Sequence, residues 1–137
     1  MKRILLTFIV ALFIVPVFAQ APATPAATGK KADEFIKFKE TKFNFGKIPQ
    51  GTPVTHDFAF TNITGSNVII ETATASCGCT TPKWPQAPIA KGATDKITAG
   101  FNAANAGPFS KEIYVRVKGA DTPFAITITG EVVPKEQ

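Results

Sequence analysis

The residues best suited to chemistry are two cysteines separated by one glycine, in the segment Ser76-Cys77-Gly78-Cys79-Thr80. They are the only cysteines of the 137-residue chain, and Met1 is its only other sulfur-containing residue. Thiols at this spacing can form a disulfide, exchange with a partner's disulfide or chelate a soft metal such as Cu(I). They can also pair or pack in a tight loop without reacting. The motif leaves these four interpretations open.

The backbone decides how readily the two cysteines can bond to each other. Alternate Cα atoms on an extended strand stand about 6.5 to 7 Å apart, at or beyond the usual limit for a disulfide. A bond therefore requires a local turn, which Gly78 can adopt, and we expect such a bond to be strained and easily reduced. Its ring is so short that loop entropy gives only ~1.6 kcal/mol of stabilisation. The domain should not need this disulfide for stability.

A metal site would need ligands beyond Cys77 and Cys79, because zinc takes four ligands, although Cu(I) accepts fewer. The chain has one histidine, His56, which shares the apolar phase of a predicted strand with Phe58 and Phe60. This phase favours a partly buried structural histidine. Strand order nevertheless predicts that His56 and the cysteines lie toward the same end of the domain. Cys77, Cys79 and His56 are therefore the candidate metal ligands, and no cofactor is expected.

No catalytic motif is present in the sequence: it contains no nucleophile elbow, phosphate loop, dinucleotide fingerprint or metalloprotease helix. One histidine and three serines offer little material for a catalytic triad. The tripeptide Asn62-Ile63-Thr64 matches a glycosylation acceptor, but an asparagine in a turn before Gly65 explains it equally well. We therefore predict a protein that is not an enzyme and name no catalytic residue.

The N-terminus has the pattern of an export signal. Two basic residues precede an apolar run, and Val17 and Ala19 are the small residues expected before cleavage at Gln20. The run is shorter than the ~20 residues of a membrane span and contains Pro16. A lipid anchor would need a cysteine in place of Gln20. We predict a signal peptide over residues 1–19 and an exported protein, periplasmic or secreted, without a membrane span or lipid anchor after cleavage.

The charge of the chain argues against nucleic-acid binding. Cleavage would remove two of the 15 basic residues, leaving 13 against 10 acidic residues and a net charge of +3 in place of +5. The lysines are scattered, whereas a nucleic-acid footprint clusters them on one face. A protein partner in the envelope or outside the cell is the better prediction. Trp84, between Pro82 and Pro85, is either an anchor for that partner or a plug at the edge of the core.

The rest of the chain divides into a tether and one domain. Residues 20–34 are rich in Ala, Pro and Thr and predict a disordered linker, whereas residues 35–134 are enough for one domain. Apolar residues alternate with polar ones in that domain, and turn residues such as those of 46–51 and 62–67 separate the runs. The predicted strands are Phe35–Phe38, Phe43–Phe45, Val54–Thr61, Val68–Thr74, Lys96–Phe101, Ile113–Lys118 and Phe124–Thr129. About seven strands predict an all-β fold, a single immunoglobulin-like antiparallel β-sandwich.

Several of these segments together resemble a bacterial exported family called domain of unknown function 1573. The segments that carry the resemblance are Phe43–Gly51, Phe58–Asn62, Ser76–Thr80, Ile89–Gly92, Gly107–Lys111 and Ile128–Gly130. They span nearly all of Lys37–Val133, and Lys91 replaces the proline usual before Gly92. The resemblance implies an immunoglobulin-like fold akin to Hydin-type and major-sperm-protein-like domains, which are non-catalytic interaction modules. It assigns no role to Cys77, Gly78 or Cys79.

Overall fold

The computed structural model describes residues 29–135. The predicted signal peptide and most of the predicted linker lie outside the described residues. No helix within residues 29–135 is long and apolar enough to cross a membrane. A single 3-10 turn, Ala32–Glu34, precedes eight strands: β1 (Ile36–Phe38), β2 (Lys42–Pro49), β3 (Val54–Asn62), β4 (Ile70–Ala75), β5 (Thr80–Lys83), β6 (Thr94–Phe101), β7 (Gly107–Val117) and β8 (Phe124–Val133).

The strands form two four-stranded sheets with the orders β1-β3-β6-β5 and β2-β8-β7-β4. This arrangement confirms the predicted all-β, immunoglobulin-like sandwich. The count is eight strands where about seven were predicted, because the short strand β5 was not foreseen. One pair, β2 with β8, is parallel although the prediction was antiparallel. Residues 39–41 carry the chain across to the second sheet without reversing it, so β2 continues the course of β1.

The core lies between the sheets and is formed by alternate residues of their strands. Phe58 and Phe60 of β3 are completely buried, and so are Ile113, Val115 and Val117 of β7. Their neighbours along the strands are exposed or half-buried. This pattern confirms the period-two alternation that the sequence predicts. Burying large side chains of this kind contributes about 1.5 to 3 kcal/mol each, so the core is the main source of stability.

The segment from Gly46 to Gly51 is only partly the turn that was predicted. Strand β2 runs through it to Pro49, and its register with β8 shifts between Asn44 and Lys47. Gly46 lies at this bulge with a φ of 67°, a left-handed conformation that glycine adopts without strain. Its amide donates to the Asn44 side chain at 2.8 Å. The glycine therefore marks an irregularity within a strand, and the chain turns only after Pro49.

The domain begins earlier than residue 35. Ala32 is 1% exposed and belongs to the core, within the 3-10 turn. Lys31 forms an isolated bridge with Thr122, and the Asp121 amide donates to the Lys30 carbonyl at 2.8 Å. The last residues assigned to the disordered linker are therefore ordered parts of the domain. A single buried alanine in an Ala-rich segment gives no signal that sequence analysis can distinguish from the linker.

Candidate functional site

The Cys-Gly-Cys segment connects the two sheets at one side of the sandwich. It follows β4, an edge strand of one sheet, and precedes β5, an edge strand of the other. The Thr80 amide donates to the Cys77 carbonyl at 3.3 Å, which closes a turn around Gly78. The sulfurs of Cys77 and Cys79 are joined in a disulfide, with the Cα atoms 5.3 Å apart. The turn at Gly78 thus brings the cysteines closer than an extended strand would allow.

Thr80 is the polar group nearest the disulfide, and sequence analysis did not single it out. It is 4% exposed, one of two buried polar residues among the described ones. Its hydroxyl lies 3.6 Å from the Cys77 sulfur and 4.0 Å from the Cys79 sulfur. Both distances are within reach of a weak hydrogen bond to sulfur. The only sequence signal was its position directly after the second cysteine.

A depression of about 130 Å3 lies beside the disulfide and is lined in part by Cys79, Asn102, Phe109 and Lys111. The Asn102 amide donates to the Cys79 carbonyl at 3.1 Å, which fixes one wall. Phe109 stacks on Phe101 with ring centroids 4.0 Å apart and supports the floor. The depression therefore combines an apolar base with one cationic side chain next to a sulfur-bearing residue.

His56 does not join the cysteines. Its ring stacks on Phe43 of the opposite sheet with centroids 3.5 Å apart, and its Nε2 lies 2.8 Å from Glu40 Oε1. Strands β3 and β5 flank β6, so two strand spacings, about 9.5 Å, separate the strand of His56 from that of the cysteine loop. No group of three His, Cys, Asp or Glu residues able to hold a metal occurs within residues 29–135. The structure therefore does not assemble the set Cys77, Cys79 and His56.

Trp84 lies just beyond β5 and has a mixed environment. It is half-buried and packs against the core, and a shallow depression beside it is lined by Lys83, Pro85, Lys96 and other residues. Its indole Nε1 is buried and has no hydrogen-bond partner within the described part of the chain. A buried donor of this kind is unfavourable for the fold. Trp84 thus fills the edge of the core while keeping part of its ring exposed.

Asn62 explains the tripeptide that matched a glycosylation acceptor. The residue is 1% exposed, and its side-chain amide donates to the carbonyls of Ser66, Ile89 and Ala90 at 2.8 to 3.1 Å. Its Oδ1 accepts from both the amide and the hydroxyl of Thr64. The nitrogen that would carry a glycan is therefore used by the fold. The turn interpretation of this asparagine agrees with the structure.

The two packed four-stranded sheets define an immunoglobulin-like domain. The chain belongs to the family described as "Protein of unknown function (DUF1573)", whose profile matches residues 36–132. This match confirms the resemblance drawn from the sequence. No functionally curated protein matches the chain.

Solved structures share the fold at low sequence identity. A protein of unknown function from Porphyromonas gingivalis W83 is 13% identical with a TM-score of 0.62, over 80% of this chain and 51% of that one. The PapD-like domain 7 of human CEP192 is 8% identical with a TM-score of 0.64, over 95% and 100%. The VesB protease of Vibrio cholerae is 15% identical with a TM-score of 0.56, over 74% and 33%. The chain thus spans about half the Porphyromonas gingivalis protein and a third of the protease, and these likenesses show the fold alone.

Proposed function

We propose that the domain is a non-catalytic module that binds an extended segment of another protein, adding it as a strand to the free edge of β4. With the predicted signal peptide, the partner would be a protein of the envelope or of the exterior. The observation that carries this proposal is the contrast among the four sheet edges. Three of them have features that prevent strand addition, and the edge of β4 has none beyond its first residues.

The edges of β1 and β2 are protected in ways common to natural sheets. Strand β1 has only three residues, and its middle one, Lys37, is exposed. Strand β2 has a bulge at Gly46 and presents Lys42, Lys47 and Pro49 along its length. Short edges, bulges, lysine and proline all discourage pairing with another chain. Neither strand is therefore suited to accept a partner strand.

The edge of β5 is protected by its own backbone. The Asn102 amide donates to the Cys79 carbonyl, so by alternation the backbone groups of Thr81 and Lys83 bond to β6. The backbone groups of Thr80 and Pro82 therefore point away from β6. Pro82 has no amide hydrogen, and the Thr80 amide is already bonded to the Cys77 carbonyl. This edge can accept hydrogen bonds but has no amide left to donate. A partner strand could donate hydrogen bonds to this edge but would receive none from it.

The edge of β4 differs, because its outer backbone groups can both donate and accept. The Ser76 amide donates to the Glu112 carbonyl, so by alternation the backbone groups of Thr72 and Thr74 bond to β7. The backbone amide and carbonyl groups of Ala73 and Ala75 therefore point away from β7. The groups of Ala73 and Ala75 have no bond to another residue among 29–135 beyond the ladder, but Ala73 is only 3% exposed, so the half-buried Ala75 is the accessible outward residue. This stretch contains no lysine, arginine or proline, although a register shift precedes it at Ile70. It is the available edge.

The size of the edge sets the expected affinity. The accessible outward residue, Ala75, offers two backbone hydrogen bonds, worth about 1 kcal/mol each net, or roughly 2 kcal/mol together. That alone does not offset the cost of association, which is about 4 kcal/mol or more. Side chains near the edge must supply the rest, and Tyr114 on the neighbouring strand β7 is an exposed aromatic residue, 37% accessible. The proposal therefore predicts that backbone bonds at Ala75 set the register of the partner segment and that side chains near the edge supply most of the affinity.

Two matched lysine substitutions test the proposal. Thr74→Lys places a charged side chain on the edge strand β4, whereas Thr81→Lys places one on the protected edge strand β5. Both threonines are exposed and lie near the disulfide loop. Binding to fractionated envelope and secreted proteins of the source organism should weaken at least about tenfold for Thr74→Lys and stay unchanged for Thr81→Lys.

Equal effects of the two substitutions would contradict the proposal. Sedimentation analysis of the purified chain provides a second test, because two β4 edges could also pair with each other. A stable dimer that Thr74→Lys dissociates would show that the occupant is a second copy of this chain, and would overturn the assignment to a different protein.

A further inference from the structure

We propose that the Cys77–Cys79 disulfide is a thiol–disulfide exchange site for cysteine pairs of other extracytoplasmic proteins, in which Cys79 is the attacked sulfur. This proposal does not rest on strand addition at β4, because it is drawn from the loop and the depression beside it. Three observations carry it: the position of the loop, the side chains lining the depression, and the hydroxyl of Thr80.

The loop places the disulfide where a thiol can reach it. It lies outside both sheets, between edge strands, and Cys77 and Cys79 are each half-buried. Neither cysteine belongs to the buried core cluster, although Cys79 packs against it, so opening the bond removes no buried strand pairing. A ring this short also gains little from loop entropy, which makes the bond a poor structural staple. A disulfide with little structural role and an accessible position suits reversible exchange.

The depression indicates which sulfur is attacked. Cys79 lines it together with Lys111, whereas Cys77 does not. Its volume of about 130 Å3 equals roughly four water molecules, enough for one thiol-bearing side chain. The ammonium group of Lys111 attracts a thiolate, which is the reactive form of the incoming cysteine. A partner thiolate that enters this depression therefore meets Cys79 first.

Thr80 is the positioning residue for the sulfur that leaves. Its hydroxyl is nearer to Cys77, at 3.6 Å, than to Cys79, at 4.0 Å. A hydroxyl that donates to a thiolate favours the charged form. Exchange is faster when the leaving thiolate is the more stable one. The Thr80 hydroxyl and the depression thus both favour attack at Cys79 with Cys77 as the leaving sulfur.

The exchange proceeds in two balanced steps. A partner thiolate attacks Cys79 Sγ, a new disulfide forms between them, and the bond between Cys79 and Cys77 breaks with its electron pair on Cys77 Sγ. The partner's second thiolate then attacks its own sulfur in the mixed disulfide and expels Cys79 as a thiolate. The partner dithiol is oxidised to a disulfide, and the Cys77–Cys79 disulfide is reduced to two thiols that take up the two protons. The reverse sequence reduces a partner disulfide.

The first test uses glutathione as the probe on the purified, folded chain. Brief exposure to reduced glutathione, followed by acid quenching and alkylation, should trap a mixed disulfide. Fragment-ion mass spectrometry should place glutathione on Cys79 and the alkyl group on Cys77. The opposite placement would overturn the direction of attack. A disulfide that native-state glutathione and dithiothreitol leave intact would overturn the whole proposal, and the proposed binding at β4 would be unaffected.

Substitutions around the loop provide the second test. Thr80→Val should shift the pH profile of alkylation of Cys77 in the reduced chain to higher pH and slow exchange by about tenfold, and Thr80→Ser should restore both. Lys111→Gln should slow attack by glutathione about two- to threefold at low salt. The matched control is Lys118→Gln, which removes a charge just after the end of β7 and away from the depression, and it should leave the rate unchanged. An unchanged pH profile in Thr80→Val would remove Thr80 from the mechanism. If Thr80→Val does not fold, the Lys111 pair and the mapping on the unmodified chain still decide the proposal.

Discussion

Asn62 and Ile89 are joined by a buried hydrogen bond from the Asn62 side-chain amide to the Ile89 carbonyl, at 2.9 Å. The bond links the last residue of β3 to the segment that precedes β6. The same side chain holds the turn of residues 63–66 through its bonds to Thr64 and Ser66. One asparagine therefore organises a turn and a long connection that contain no regular ladder of their own.

Replacing Asn62 by alanine should destabilise the domain strongly. The change removes five hydrogen bonds of the Asn62 side chain: three that it donates to carbonyls and two that it accepts from Thr64. The Ile89 carbonyl still accepts from the Val68 amide at 2.9 Å, so the cost is that of the lost bonds, about 0.5 to 1.5 kcal/mol each, and we expect a loss of about 3 kcal/mol or more in urea unfolding. Asn67→Ala is the matched control, because Asn67 is exposed in the same region. A loss of the same size in both variants would contradict this role.

Asp57 and Lys96 form an exposed ion pair whose effect depends on pH. Lys96 Nζ lies 2.6 Å from Asp57 Oδ2, and the Thr98 hydroxyl lies 2.6 Å from Oδ1. The hydrogen bond from Lys96, followed by that from Thr98, lowers the pKa of Asp57. Because the folded pKa is below the unfolded one, the stabilisation is present above the unfolded pKa and is lost as pH falls through the folded pKa. The hydrogen bond to Asp57 raises the pKa of Lys96, so on the alkaline side the contribution of the pair is lost as pH rises through that raised pKa.

The variant Asp57→Asn should therefore be slightly less stable than the natural chain at neutral pH and equal to it in strong acid. Urea midpoints measured at pH 7 and at about pH 2 test this, with the difference expected to be small because the pair is exposed. About 0.5 M salt should reduce the neutral-pH difference further. A difference that grows in acid would have the wrong sign for this pair.

Two substitutions can decide whether Trp84 serves the core or partner binding, because Trp84→Phe keeps an aromatic ring and Trp84→Ala removes it. Trp84→Phe removes a buried donor that has no partner within residues 29–135, so stability should be unchanged or higher. Trp84→Ala should cost about 2 kcal/mol, because the half-buried ring packs against the core. Affinity for the partner protein is then measured with both variants. Weaker binding by Trp84→Phe at unchanged stability would identify an anchor, and unchanged binding and stability in Trp84→Ala would exclude any role.

The sandwich should keep its fold without the disulfide. Replacing Cys77 and Cys79 by serine should cost no more than about 1.6 kcal/mol, because the ring they close is so short. For a domain of this size that is a decrease in Tm of roughly 6 to 13 °C. Thermal unfolding followed by circular dichroism checks it, with the natural chain in dithiothreitol as the control. An unfolded double variant at room temperature would show that the disulfide is a structural element.

The parts of the fold that sequence could predict are those with strict alternation. Val54–Phe60 and Ile113–Val117 bury one face each, and a period of two fixes which face. Strand β5 escaped prediction because it has four residues and contains Pro82, which normally argues against a strand. The parallel pairing of β2 with β8 depends on contacts between chain ends, which local patterns do not encode.

The candidate site divides in the same way. The spacing of Cys77 and Cys79 showed that a turn at Gly78 was needed, because backbone geometry alone requires it. The separation of His56 from the cysteines depends on sheet order, and the stacking of His56 on Phe43 depends on how the sheets pack. The free edge of β4 is also invisible in sequence, since an edge is defined by the strand that is missing beside it.

The most direct test of partner binding is amide hydrogen exchange at Ala73 and Ala75, measured residue by residue with and without the partner protein. In the free chain the Ala75 amide should exchange quickly, because it faces outward from an edge and is half-buried, whereas Ala73 is only 3% exposed and should exchange more slowly. Saturating partner should slow exchange at Ala75 by at least about tenfold, while the amides of Thr72 and Thr74, already bonded to β7, change little. Partner binding that leaves exchange at Ala75 as fast as before would contradict strand addition at β4.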